Sequence, residues 1–123
     1  MILIIEDDED TREAYQGFLE LHGFESTTAS TGAEALAIAR AHAVEAVLLD
    51  VTLPDADGRT LSEHLRQAAA PRSLPILALT GHRLDRNDAA RFTNVMQKPV
   101  DLDAMIEWVR GVLSTPTARS GNP

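Results

Sequence analysis

Short, unbroken apolar runs, each followed by a longer amphipathic stretch, constrain the fold of this chain more than any other feature of its sequence. Residues 2–5, 46–49 and 76–79 contain no charged side chain and are mostly Ile, Leu, Val and Ala, as expected of strands buried on both faces. Residues 24–29 and 95–96 are weaker strand candidates. Five strands that alternate with helices predict an α/β fold, with a parallel sheet and helices on both faces.

The stretches between the predicted strands have apolar residues at helical spacing. Helices are predicted at residues 10–22, 31–43, 59–69, 84–92 and 102–113. Gly23 ends the first, and Ser30 or Thr31 caps the second, with Glu34 placed for a capping box. The fourth helix is predicted to be short and polar.

The length and composition indicate one domain and exclude several classes of site. A chain of 123 residues fits a single domain; we assign residues 1–114 to it and predict a disordered tail over residues 115–123, which are small and polar. The absence of cysteine excludes disulfides and thiolate metal sites. The net charge of −8 argues against a nucleic-acid partner. No apolar run approaches a membrane span and no signal peptide is recognisable, so we expect a cytoplasmic protein without a membrane partner.

Polar residues follow the apolar runs at the points where the strands end. They are Glu6, Asp7 and Asp8 after the first run, Asp50 after the third, Thr80 after the fourth and Lys98 after the fifth. Lys98 is the only lysine among eleven basic residues. Because the carboxyl ends of parallel strands meet at one edge of the sheet, where ligands bind, these groups should gather there.

Such a group of side chains has a definite chemistry. Crowded carboxylates resist simultaneous ionisation unless a cation joins them, and oxygen-only ligands suit Mg²⁺. A lysine and a hydroxyl beside that cation can bind phosphate oxygens. One carboxylate can then act as a nucleophile and carry an aspartyl phosphate.

Four segments at these strand ends resemble the receiver domain of two-component response regulators. They are Ile-Ile-Glu-Asp-Asp at 4–8, Leu-Leu-Asp-Val-Thr-Leu-Pro-Asp-Ala-Asp-Gly at 48–58, Leu-Ala-Leu-Thr-Gly at 77–81 and Gln-Lys-Pro at 97–99. The resemblance covers roughly residues 1–114. It implies a doubly wound five-stranded sheet of order 2-1-3-4-5, phosphorylation with Mg²⁺ by a histidine kinase or phosphotransfer protein, and a downstream protein partner of unknown identity.

The resemblance also implies roles for the residues that receive the phosphoryl group. Asp50 would be the phosphoacceptor, and Thr80 would donate a hydrogen bond to a phosphoryl oxygen. Lys98 would pair with the phosphate, after a bend at a cis Lys98–Pro99 bond. A domain with these roles is a phosphoacceptor that assists its own phosphorylation and dephosphorylation, and is not otherwise an enzyme.

The implied metal site uses the acids after the first strand. Asp7 would bind Mg²⁺ directly and Glu6 through water, together with Asp50 and the backbone carbonyl of Thr52. The Asp7–Asp8 pair is the alternative register, and we prefer Glu6–Asp7 because Arg12 then falls at the usual place in the first helix.

Two departures from the family pattern concern how a signal would leave the site. Only 18 positions separate Thr80 from Lys98, about one helical turn, or roughly four residues, fewer than the resemblance leads one to expect. Val95 stands where the family has its switch aromatic, and Phe92 is either a substitute or a core residue. His82 is interpreted as an exposed loop residue.

Two other functions remain as alternatives. A degenerate receiver would use the fold for protein docking without phosphorylation, which the short fourth helix and Val95 favour. An aspartate-nucleophile phosphohydrolase would use the same carboxylate and lysine, but such enzymes usually have a second acid at the position of Thr52. The chain is either a stand-alone regulator or a receiver excised from a larger protein.

Overall fold

The computed structural model of the protein describes residues 1–113, so the tail predicted at 115–123 lies outside the described residues. Five strands form one sheet in which every neighbouring pair is parallel. They are β1 (Ile2–Ile5), β2 (Ser26–Ala29), β3 (Ala46–Asp50), β4 (Ile76–Thr80) and β5 (Asn94–Gln97). The order β2-β1-β3-β4-β5 confirms the predicted doubly wound topology.

Five helices alternate with the strands, as predicted. They are α1 (Glu9–Leu21), α2 (Gly32–Ala41), α3 (Gly58–Ala69), α4 (Arg86–Ala89) and α5 (Leu102–Leu113). The prediction of residues 84–92 for the fourth helix was too long, because α4 has four residues and Phe92 is buried in the core beyond its end. The short fourth helix itself is confirmed.

The strands divide their side chains between two cores, one on each face of the sheet. Leu3, Val47 and Ala78 belong to the core beneath α2 and α3, whereas Leu48 and Leu77 belong to the core beneath α1 and α5. All residues of β1, β3 and β4 are buried, which explains why their sequences are continuous apolar runs. β5 at the edge is only half-buried.

The helix caps follow the sequence signals, with small shifts in position. Asp8 caps α1 and accepts a hydrogen bond from the Thr11 N–H, so α1 begins one residue earlier than predicted. Thr31 caps α2, and Glu34 reaches back to the backbone N–H of Ser30, as in a capping box displaced by one residue. No helix of residues 1–113 is long and apolar enough to cross a membrane.

Candidate functional site

The carboxyl ends of β1, β3, β4 and β5 bring the predicted polar residues to one edge of the sheet, which we call the rim. Asp50 and Thr80 are the last residues of β3 and β4. Glu6 follows β1 and Lys98 follows β5. Glu6 and Asp50 are each 2% exposed and Thr80 is 1% exposed, an unusual burial for polar groups that demands partners.

Three carboxylates converge at the rim. One oxygen each of Glu6, Asp7 and Asp50 lies within 4.8 Å of the others. Asp7 is exposed and its two neighbours in the cluster are buried. Oxygen-only donors at this spacing suit a hard divalent cation such as Mg²⁺.

The electrostatics of Glu6 agree with that fit. Burial raises the pKa of Glu6 and the nearby charge of Asp50 raises it further, although hydrogen bonds from the Asp8 N–H and from Lys98 act in the opposite direction. Two buried acids that repel in this way become favourable as a pair when a cation joins them.

Lys98 supplies the cation that the structure itself places at the rim. Its Nζ lies 3.1 Å from Glu6 Oε1 and 3.6 Å from Asp50 Oδ2. Burial alone would lower the pKa of Lys98, but the hydrogen bond to Glu6 and the charges of Asp50 and Glu6 outweigh it and raise the pKa. The Lys98–Pro99 bond is cis, as expected, and the Lys98 N–H donates to the Thr80 carbonyl.

Thr52 holds one oxygen of Asp50, a contact that sequence reasoning missed. Its backbone N–H and its hydroxyl donate to Asp50 Oδ1 over 3.0 and 3.1 Å. Oδ2 is the oxygen that faces Lys98. The prediction concerned only the Thr52 carbonyl as a metal ligand; the side chain fixes the orientation of the Asp50 carboxylate.

The Thr80 hydroxyl is engaged with its own loop. It donates to the His82 carbonyl over 2.8 Å and accepts from the His82 N–H over 3.0 Å. The side chain of His82 is exposed, in keeping with the interpretation as a loop residue. Because the hydroxyl has a single proton, any further acceptor at the rim would compete with the His82 carbonyl for it.

Asp8 and Arg12 have structural contacts beside the rim. The carboxylate of Asp8 caps α1 and lies outside the cluster of three acids. Arg12 donates to the backbone carbonyls of Glu6 and, more weakly, Asp7. The structure thus brings together Glu6 and Asp7, the preferred register, while their role as metal ligands stays a prediction.

Among the described residues, no Phe, Tyr or Trp side chain lines the cleft beside Val95. Thr80, Ala89 and Val95 line one open cleft between β4, α4 and β5. Phe92 is 6% exposed and belongs to the core under α2 and α3. The interpretation of Phe92 as a core residue is confirmed, while its suggested role in place of the switch aromatic stays a prediction.

The loop after β3 carries further contacts that the sequence did not reveal. Asp55 accepts hydrogen bonds from the N–H groups of Gly32 and Ala33 at the start of α2. Asp57 caps α3 and also binds Arg59. An Asp-rich turn signals a cap, but nothing in the sequence indicates which helix each Asp reaches.

Comparison with known proteins gives a consistent set of matches. The family model described as the response regulator receiver domain matches residues 2–110. The polar-differentiation response regulator DivK of Brucella ovis is 26% identical over 117 aligned positions, spanning 91% of this chain and 94% of that protein.

Solved structures agree. A CheY-like receiver domain from Methylobacillus flagellatus has a TM-score of 0.83 at 26% identity, and the match covers 90% of this chain and 96% of that one. The response regulator TrrA of Thermotoga maritima, in complex with Mg²⁺–BeF, has a TM-score of 0.80 at 25% identity over the same shares.

Proposed function

The chain belongs to the response regulator receiver domain family, and from this membership we propose that Asp50 accepts a phosphoryl group from a histidine kinase or a phosphotransfer protein. Receiver domains are phosphoacceptors in two-component signalling, generally not classical enzymes, and interact with such donors. One observation carries the proposal. A buried carboxylate at the end of β3 lies within 4.8 Å of two further acids and 3.6 Å from a lysine.

The transfer begins when an oxygen of Asp50 attacks the phosphorus of a phosphohistidine on the donor. A P–O bond forms, the P–N bond breaks, and the imidazole keeps the electron pair and takes up a proton. Lys98 is close enough to neutralise charge on the phosphoryl oxygens. Thr80 would donate a hydrogen bond to the same group once it leaves the His82 carbonyl.

Glu6, Asp7 and Asp50, with the carbonyl of Thr52, are the residues that would hold Mg²⁺. The fit rests on the oxygen-only donors, their spacing and the raised pKa of Glu6. When bound, Mg²⁺ would neutralise negative charge on the phosphoryl oxygens during transfer. The complex of TrrA with Mg²⁺–BeF supports this choice of ion for a relative of the same fold.

Intact-mass measurement after incubation with Mg²⁺ and acetyl phosphate tests the proposal. We expect wild type to gain one phosphoryl group and Asp50→Asn to gain none, because the nucleophilic carboxylate is gone. Asp8→Asn is the matched control: Asn caps helices as well as Asp, and Asp8 lies outside the cluster, so this variant should be phosphorylated like wild type.

Other outcomes point to the alternatives. A folded wild type that gains no phosphoryl group and binds no Mg²⁺ would exclude the proposal and favour a degenerate receiver. Continuous release of phosphate from unrelated phosphomonoesters would favour a phosphohydrolase. That second reading is weakened by Thr52, whose hydroxyl binds Asp50 where such an enzyme would have its second acid.

A further inference from the structure

A continuous series of polar contacts runs from Asp50 to α4 along the loop after β3, on a route that does not include Val95. We propose that this series, through Thr52, Asp57, Arg59 and Asp88, couples the state of Asp50 to the position of α4. We call it the loop relay. The inference rests on the proposed function, since phosphorylation of Asp50 is the event that it would transmit.

The first link joins the phosphoacceptor to the loop. Both donors of Thr52, the backbone N–H and the hydroxyl, bind Asp50 Oδ1. A phosphoryl group on Oδ1 would displace both bonds. A phosphoryl group on Oδ2 would turn Oδ1 into an uncharged carbonyl and replace charge-assisted bonds by weaker neutral ones. Either product therefore loosens the hold of Asp50 on Thr52.

The second link crosses the loop. Thr52 and Asp57 form an isolated antiparallel bridge, and the Gly58 N–H donates to the Val51 carbonyl over 3.3 Å. A Cβ on Gly58 would lie 2.8 Å from the Cα of Val51, so the two ends of the loop are in direct backbone contact. A displacement of Thr52 should therefore displace Asp57 as well.

The third link is the guanidinium of Arg59, which binds two carboxylates at once. Nε and Nη2 donate to the two oxygens of Asp57 over 3.0 and 2.8 Å. Nη1 donates to both oxygens of Asp88 in α4 over 3.1 Å. The planar fork of arginine fixes the direction of both carboxylates, which a lysine could not do.

α4 is the element whose position a small change in free energy can alter. It has four residues, none of them buried, and elements with few buried contacts open and shift at low free energy. A second ion pair, between Arg91 just after α4 and Glu63 in α3, shares no side-chain hydrogen bond with the loop relay. The Arg91 N–H donates to the Asp88 carbonyl and the charge of Arg91 lowers the pKa of Asp57, so the control variant changes Glu63 and leaves Arg91 in place. This pair gives a control of the same chemistry and similar exposure.

The experiment follows backbone amide signals of ¹⁵N-labelled protein by NMR when Mg²⁺ and beryllofluoride are added. In wild type we expect shifts at Val51 and Thr52 and also across residues 86–89. In Arg59→Gln the shifts across 86–89 should fall by roughly half or more, while those of Val51 and Thr52 persist. Glu63→Gln should respond like wild type at both places.

The outcomes separate this inference from the proposed function. If wild type responds at Val51 and Thr52 but not at α4, or if Arg59→Gln and wild type respond alike at α4, the loop relay is wrong and the phosphoacceptor role stands. If wild type shows no response at Val51 and Thr52, and acetyl phosphate adds no phosphoryl group, both are wrong. Arg59 is 43% exposed, so its replacement should leave the fold intact, which circular dichroism checks.

Discussion

The rim around Asp50 and the region of α4 and β5 lie side by side on one sheet, yet they are built in opposite ways. At the rim, Glu6, Asp50 and Thr80 stand at the ends of fully buried strands and are themselves buried, and each carboxylate oxygen of Asp50 faces a defined partner. α4 has no buried residue and β5 is half-exposed. The proposed chemistry thus lies on the firmly packed part of the fold, and the proposed response lies on the loosely packed part.

The acids of the two regions also differ in the direction in which their pKa values are shifted. Burial raises the pKa of Glu6 at the rim, with a further contribution from Asp50. Hydrogen bonds from Arg59 hold the pKa of Asp57, on the side of α4, down to about 2. The rim is short of positive charge and suited to gaining a cation, whereas the acid next to α4 already has its full complement of donors.

The largest difference between the two regions should appear in the free energy of unfolding when a side chain is shortened in each. Leu77→Ala, in the fully buried β4, should cost about 2–5 kcal/mol because it leaves a cavity beneath α1 and α5. Ala89→Gly, in α4, should cost at most about 1 kcal/mol, the loss of helix propensity at one site. Urea unfolding followed by circular dichroism measures both. Equal costs would mean that α4 is as firmly packed as the sheet.

A pair of glycines next to the two regions gives an intermediate effect. A Cβ at Gly58 would meet backbone atoms of Val51 at 2.8 and 2.9 Å, whereas one at Gly81, directly after Thr80, would meet nothing within 4 Å. We expect Gly58→Ala to cost about 1–3 kcal/mol through overpacking and Gly81→Ala to change stability by less than about 0.5 kcal/mol. A Gly81→Ala variant as unstable as Gly58→Ala would contradict the open structure of the loop after β4.

The smallest effect is the acid dependence carried by Asp57. Its pKa of about 2 lies below the ordinary value of 3.8, so its contribution to stability is complete above pH 3.8 and is lost as the pH falls through 2. The contribution is small because Asp57 and Arg59 are both more than 40% exposed. An NMR titration of the Asp57 carboxyl should give a midpoint near 2 in wild type, moving towards 3.8 in Arg59→Gln. A wild-type midpoint near 3.8 would contradict the bidentate contact.

The sheet and the composition of the rim could be predicted from the sequence for a physical reason. Strands buried on both faces leave continuous apolar runs, and whatever ends such a run stands at the ligand-binding edge of a parallel sheet. Asp50, Thr80 and Lys98 were identified in that way, and the strand order came from the resemblance. The structure brings Glu6, Asp7 and Asp50 together as the preferred register requires.

The contacts made by loop side chains could not be predicted. The hydrogen bonds that Asp55 accepts at the start of α2, those from Thr52 to Asp50 and those from Arg59 to Asp88 depend on where loops bring distant residues. The spacing of apolar residues along the sequence carries no information about these distances, and an Asp at a turn is compatible with several partners. The extent of α4 was also overestimated: the predicted helix reached Phe92, which packs into the core beyond the end of α4.

The bond of Thr80 to the His82 carbonyl has a consequence for how the site could be switched. A hydroxyl has a single proton, so Thr80 can donate either to this carbonyl or to a phosphoryl oxygen, but not to both. In the proposed phosphorylated state the loop after β4 would lose the bond to the His82 carbonyl when the phosphate gains one, and would keep the bond from the His82 N–H. One hydrogen bond replaces another, so the two states can lie close in free energy. A partner that binds one loop conformation more tightly would then shift the equilibrium between them.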